Sequence, residues 1–106
     1  MAKTTIKAGV CGFTTGISAE SEDEQNVTIR METDCEKIRK LADSLPVLDA
    51  YAEIQAGHDG ELMKAVRASL KGCCAGCSVP SGIFKTMQVT AGLALPQAVS
   101  IEVKKD

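Results

Sequence analysis

Five cysteines, Cys11, Cys35, Cys73, Cys74 and Cys77, are the residues of this chain whose type and spacing can do chemistry. Cys74-Ala-Gly-Cys77 has the two-residue spacer with which a Cys-x-x-Cys turn presents both sulfurs to one ion, and the small Ala75 and Gly76 permit that turn. Cys11 precedes Gly12, where the backbone can bend or let another group approach. Cys35 is expected in the first turn of a helix, where unpaired amides and the macrodipole favour a negative charge and so a thiolate. Cys77 stands immediately before another helix start and gains similar help. Any one cysteine is as readily a small core hydrophobe as a ligand. Three thiols within five residues, with two more beside a glycine bend and a helix start, point instead to a four-ligand site of Cys11, Cys35, Cys74 and Cys77. Cys73 is the spare thiol, able to replace Cys74, to accept sulfur or metal, or to stand by. Soft thiolates select zinc, Cu(I) or an iron–sulfur cluster over magnesium or calcium, so the expected cofactor is an iron–sulfur cluster or Zn.

Such a site needs elements that bring distant segments together. Over residues 4–19, Ile6, Val10, Phe13, Ile17 and Ala19 lie among Thr, Ser and three glycines, which reads as two short strands or one bent strand. The acidic run 20–26 reads as a solvated turn. Val27, Ile29 and Met31 then alternate with polar residues as a half-buried strand. At Thr33 the period changes: Thr33 and Glu36 are spaced as a capping box, and Ile38, Leu41, Ala42 and Leu45 recur at helical spacing up to Pro46. A weaker helical segment over 47–54 puts Leu48, Tyr51 and Ala52 or Ile54 on one side. Asp59 is placed to cap a further helix carrying Leu62, Val66, Ser69 and Leu70, which Gly72 ends. A last helix begins near Ser78-Val-Pro80, carries Ile83, Phe84, Met87 and Ala91 toward the core, and is closed by Pro96. Ala98, Val99, Ile101 and Val103 suggest a final strand, either at a sheet edge or as a tail. The expected architecture is α+β, a small antiparallel sheet with helices packed on one face, in a single metal-binding domain over 1–106.

The layout resembles the iron–sulfur cluster assembly scaffolds of the IscU and NifU N-terminal type. The resemblance rests on Val10-Cys-Gly-Phe13, Thr33-Asp-Cys-Glu-Lys-Ile38 and Cys74-Ala-Gly-Cys-Ser-Val-Pro80, and it covers roughly residues 10–92 in order and spacing. It implies an IscU/NifU-N-like fold in which a cysteine from an early strand, one from a helix start and one before a late helix converge on a cluster. A cysteine desulfurase that supplies sulfur as a persulfide, or an acceptor protein, is the partner it implies. Where the scaffolds carry Asp two residues after the first Cys, this chain has Phe13, and their His-Cys pair is here Cys-x-x-Cys. Ala8-Gly-Val-Cys-Gly-Phe13, Cys77-Ser-Val-Pro-Ser81 and Gly92-Leu-Ala-Leu-Pro96 are also similar to an uncharacterised family of short prokaryotic proteins, over nearly the whole chain.

Composition excludes other roles. Twelve Lys and Arg against fourteen Asp and Glu give a net charge of -2, which leaves no electrostatic footprint for nucleic acid or an anionic membrane. The N-terminus lacks the apolar run of a secretory signal and no stretch reaches the roughly 20 apolar residues of a membrane span, so a cytoplasmic location is expected. Thiols stay reduced there, which favours metal or redox chemistry over structural disulfides. With aromatic residues at 3%, the core must be built from Ala, Val, Ile, Leu and Met, and a metal cross-link would reinforce it. One histidine, His58, between Gly57 and Asp59 in an expected loop, supports no Ser-His-Asp set and reads as solvated. Asp34 reads as a cap rather than a ligand, and Asp49 and Glu53 as exposed helix charges rather than an acid/base pair. Gly9, Gly12 and Gly16 lack the spacing and the Lys-Ser/Thr of a phosphate loop. Met63 and Met87 sit at core spacing. No catalytic residue is expected, and the chain reads as a binding protein more than an enzyme. Two alternatives stand beside the cluster carrier: a thiol-disulfide couple of Cys74 and Cys77, and a structural-zinc module that binds a partner.

Overall fold

The computed structural model describes residues 1–105. Strands β1 (Ala2–Lys7), β2 (Thr14–Glu20) and β3 (Asn26–Thr33) form an antiparallel meander, and the two-residue β4 (Leu48–Asp49) extends it in the order β1-β2-β3-β4. Helices α1 (Glu36–Ser44), α2 (Ala50–Ala56), α3 (Glu61–Ser69) and α4 (Val79–Thr90) complete the α+β architecture. Period-2 patterning explains the meander: Thr15, Ile17 and Ala19 of β2 are buried while their neighbours stay partly exposed, and Ile17 pairs with Met31 and Ala19 with Ile29.

One hydrophobic cluster joins the layers. Ile17, Ala19 and Val27 of the sheet meet Ile38 and Leu41 of α1, Leu62 of α3, and Val79, Ile83 and Met87 of α4. Helix α4 lies directly on β1 and β2. The close approach uses Gly82, where a Cβ would fall 2.1 Å from Ile6 Cδ1. One turn on, the hydroxyls of buried Thr86 and half-buried Thr4 are 2.6 Å apart and Thr86 donates to the Gly82 carbonyl, so this polar pair is satisfied inside the interface.

Several local expectations change. The β2–β3 turn is organised rather than merely solvated: the Asp23 carboxylate accepts from the Gln25 and Asn26 backbone N–H groups at 3.0 and 2.8 Å and from the Asn26 side chain. Residues 47–54 hold β4 before α2, and Tyr51 and Ile54 are exposed because α2 buries Ala50 and Glu53 instead. Glu53 is not an exposed helix charge. It is buried, and its carboxylate accepts from the Glu61 and Leu62 N–H groups at 3.0 and 2.8 Å, capping α3 in place of Asp59. Gly60 lies against that carboxylate, which a Cβ would strike at 2.9 Å. Helix α4 ends at Thr90, ahead of Gly92 at φ 74°, and not at Pro96. Residues 95–105 belong to no strand or helix, so the final strand is a tail.

Candidate metal centre

The thiols come from three places in this fold. Cys11 sits in the β1–β2 connection, which is closed by bonds from Ala8 N–H to the Phe13 carbonyl at 3.1 Å and from Gly12 N–H to the Gly9 carbonyl at 2.9 Å. Gly9 and Gly12 take φ of 90° and 76°, which glycine adopts without strain, and the turn they make exposes Cys11 at its tip. The cysteine of Val10-Cys-Gly-Phe13 therefore lies on a hairpin tip, not within a strand.

Cys35 is the N-cap residue of α1, one position before the first turn in which it was expected. Its side chain makes no capping bond, which leaves the sulfur available. Thr33 does not form the capping box. Its hydroxyl accepts the Cys35 N–H at 3.1 Å and a hydrogen bond from Thr15 at 2.9 Å, fixing the step from strand to helix. Asp34 does not cap either, being exposed with Arg39 Nη2 at 3.8 Å.

Cys73, Cys74 and Cys77 belong to a 3₁₀ turn, Gly72–Gly76, and its exit, where Cys77 N–H donates to the Cys74 carbonyl at 3.1 Å. Cys73 is exposed, while Cys74 and Cys77 are half-buried and, with Cys35, pack against the hydrophobic cluster. Lys37 of α1 reaches across with its Nζ 3.4 Å from Cys74 Sγ.

Cys77 stands at the step from this turn into α4. Burial pushes its thiol up from the ordinary cysteine value. The Val79 N–H at the start of α4 opposes that rise, and negative charge on Cys11, Cys35 and Cys74 adds to it. The help anticipated from the helix start is thus present but outweighed by burial. Of the predicted ligands, Cys35, Cys74 and Cys77 pack against the one hydrophobic cluster, and Cys11 stands exposed at the hairpin tip. Cys73 is exposed and does not pack there. No three His, Cys, Asp or Glu side chains among the described residues are grouped tightly enough to hold one metal ion as they stand. A tetrahedral zinc with Zn–S of about 2.3 Å asks for sulfurs about 3.8 Å apart, whereas an iron–sulfur cluster, with a thiolate on each of several irons, asks for less closure. The donor set suits either, being four thiols with no hard oxygen ligand among them.

His58 is exposed, and its carbonyl accepts from Arg67. Lys37 is the neighbour of this site that sequence reasoning missed. Its position two residues after Cys35, in the first turn of α1, was the available signal, but the turn it faces is distant in sequence.

A family model matches residues 2–103, and the chain belongs to that family, a family of unknown function (DUF6951). No curated protein and no solved structure matches it. Among the described residues no helix is long and apolar enough to cross a membrane.

Proposed function

We propose that this protein binds an iron–sulfur cluster or zinc through Cys11, Cys35, Cys74 and Cys77, as a small cytoplasmic scaffold or carrier without catalytic residues of its own. The observation that carries the reading is the packing of Cys35, from the start of α1, and of Cys74 and Cys77, from the Cys-x-x-Cys turn, against one hydrophobic cluster, with Lys37 of α1 reaching to 3.4 Å from Cys74 Sγ. Burial of Cys35, Cys74 and Cys77 against the core supports it, since a centre there would cross-link sheet and helices and add to folding stability. Cys11, on the tip that Gly9 and Gly12 turn, is the fourth ligand of this reading. Lys37 supplies a counter-charge to thiolate at Cys74. The partners named by this reading are a cysteine desulfurase that supplies sulfur and an acceptor protein that takes the cluster; nucleic acid and membranes are not among them.

Anaerobic addition of ferrous iron with sulfide, or of zinc, to the reduced protein tests the reading. Stoichiometric uptake of iron with acid-labile sulfide and a visible charge-transfer band is the result expected of a cluster carrier. Zinc uptake with no cluster moves the function to a structural module. Absence of uptake, with a reversible disulfide between Cys74 and Cys77, overturns the reading in favour of the redox couple.

A further inference from the structure

The thiol site leaves two features of the fold unused, the outer edge of β1 and the chain beyond α4. Strand β1 is paired only with β2, so its other side presents unpaired backbone N–H and C=O groups. Beyond α4, Val99, Ile101 and Val103 are 62%, 73% and 89% exposed, in a segment that alternates apolar and polar residues and belongs to no strand. A strand-patterned segment with bare backbone and an unpaired sheet edge are complementary surfaces.

We propose that residues 98–103 of one copy of this chain add as an antiparallel fifth strand to the β1 edge of a second copy, each copy supplying its tail to the other. The register is set by the two faces of β1. Ala2, Thr4 and Ile6 are half-buried, with Thr4 and Ile6 facing α4, whereas Lys3, Thr5 and Lys7 are exposed. Setting Ile101 opposite Thr4 places Val99 beside Ile6 and Val103 beside Ala2 on the helix side. Ser100 then meets Thr5, and Glu102 meets Lys3, on the outer side. One register satisfies both the apolar row and the charge pair. Lys3 and Lys7 also guard the edge against uncharged strands, which makes the acidic Glu102 a selective partner.

Geometry directs the tail to another copy rather than to its own edge. Helix α4 runs opposite to β1, from Gly82 at Ile6 to Thr86 at Thr4, and Gly92 then lies against Glu24 in the β2–β3 turn, at the Ala2 end of the sheet. Leu93 N–H is still held on the Gln88 carbonyl at 2.8 Å. Antiparallel pairing in the same chain would need Ala98 at the Lys7 end, about 17 Å along β1. The five residues from Leu93 to Ala98 extend to about 17 Å at most, which leaves nothing for the descent from the helix layer to the sheet edge.

The test is sedimentation of the full chain over a range of concentrations, with amide hydrogen exchange on the same samples. The wild type is expected to dimerise, and amides of residues 2–7 and 98–103 to gain protection together as concentration rises. Thr4 turns its backbone groups toward β2, as the Ala8 N–H to Phe13 carbonyl bond in the same register requires, so Thr5 faces the free edge. Ser100→Pro removes the N–H that would donate to Thr5, and should raise the dimer Kd about a hundredfold while leaving the circular dichroism spectrum of the protomer unchanged. A chain that stays monomeric, whether residues 98–103 are bare or protected against their own β1, overturns the proposal. So does a dimer that Ser100→Pro leaves intact.

Discussion

Lys37 holds its ammonium 3.4 Å from the sulfur of Cys74, tying the first turn of α1 to the turn that carries three of the five thiols. An exposed charge contact of this kind tunes a site without holding the fold together. Lys37→Met should weaken metal retention by about two- to fivefold, measured by chelator competition, with no change in thermal stability of the metal-free protein. Equal retention by variant and wild type would show that Cys74 carries no charge for Lys37 to balance.

Much of this arrangement was legible in the sequence because the signals are periodic or local. Alternation at Val27, Ile29 and Met31 marks β3, the helical recurrence of Ile38 and Leu41 marks α1, and Pro80 marks the start of α4. Residues whose partners lie far along the chain were not legible. Glu53 looks like a surface charge in its own helix, and only the approach of α3 at Gly60 turns it into a buried cap. Thr33 and Glu36 have capping-box spacing, yet the pull of Thr15 on the Thr33 hydroxyl moves the helix start two residues on. The tail from Ala98 has a strand's pattern, but pattern specifies which face is apolar, not whether a neighbouring strand is present.

Glu53→Gln should lower stability by about 1–3 kcal/mol, because an amide accepts less strongly at the N-terminus of α3 and turns one N–H₂ toward backbone donors. Denaturant unfolding of the metal-free protein measures it. A loss below a few tenths of a kcal/mol would mean that α3 starts without this cap.

The hydrogen bonds from Asn26, Gln25 and Ser21 hold the Asp23 carboxyl well below the usual carboxylate range. A carboxyl lowered on folding stabilises the folded state above its unfolded pKa of about 4, and that contribution disappears as pH falls through this value toward the folded pKa. Asp49 is lowered in the same direction, chiefly by Gln25 and by the Ala52 N–H at the start of α2. Acid titration of thermal stability should therefore be shallower for Asp23→Ala than for the wild type below about pH 4, the two curves running parallel at neutral pH. Identical slopes in acid would remove Asp23 from the account of the turn.

Removing the metal should also be visible as lost stability. A centre that binds only the folded chain adds about 2.7 kcal/mol when free metal stands at a hundred times its Kd. For a domain of this size that corresponds to a fall in Tm of roughly 10–20 °C on chelation. A Tm indifferent to chelator would place any bound metal on the surface rather than among Cys35, Cys74 and Cys77.

Metal and acid-labile sulfide per chain, measured on anaerobically isolated wild type beside Cys11→Ser, Cys35→Ser, Cys77→Ser and Cys73→Ser, test the shared thiol centre most directly. Stoichiometric metal in the wild type and in Cys73→Ser, with marked loss in the other three, is the predicted result. Unchanged content in Cys11→Ser or Cys35→Ser would contradict it, because the centre would then not draw on separate segments of the fold.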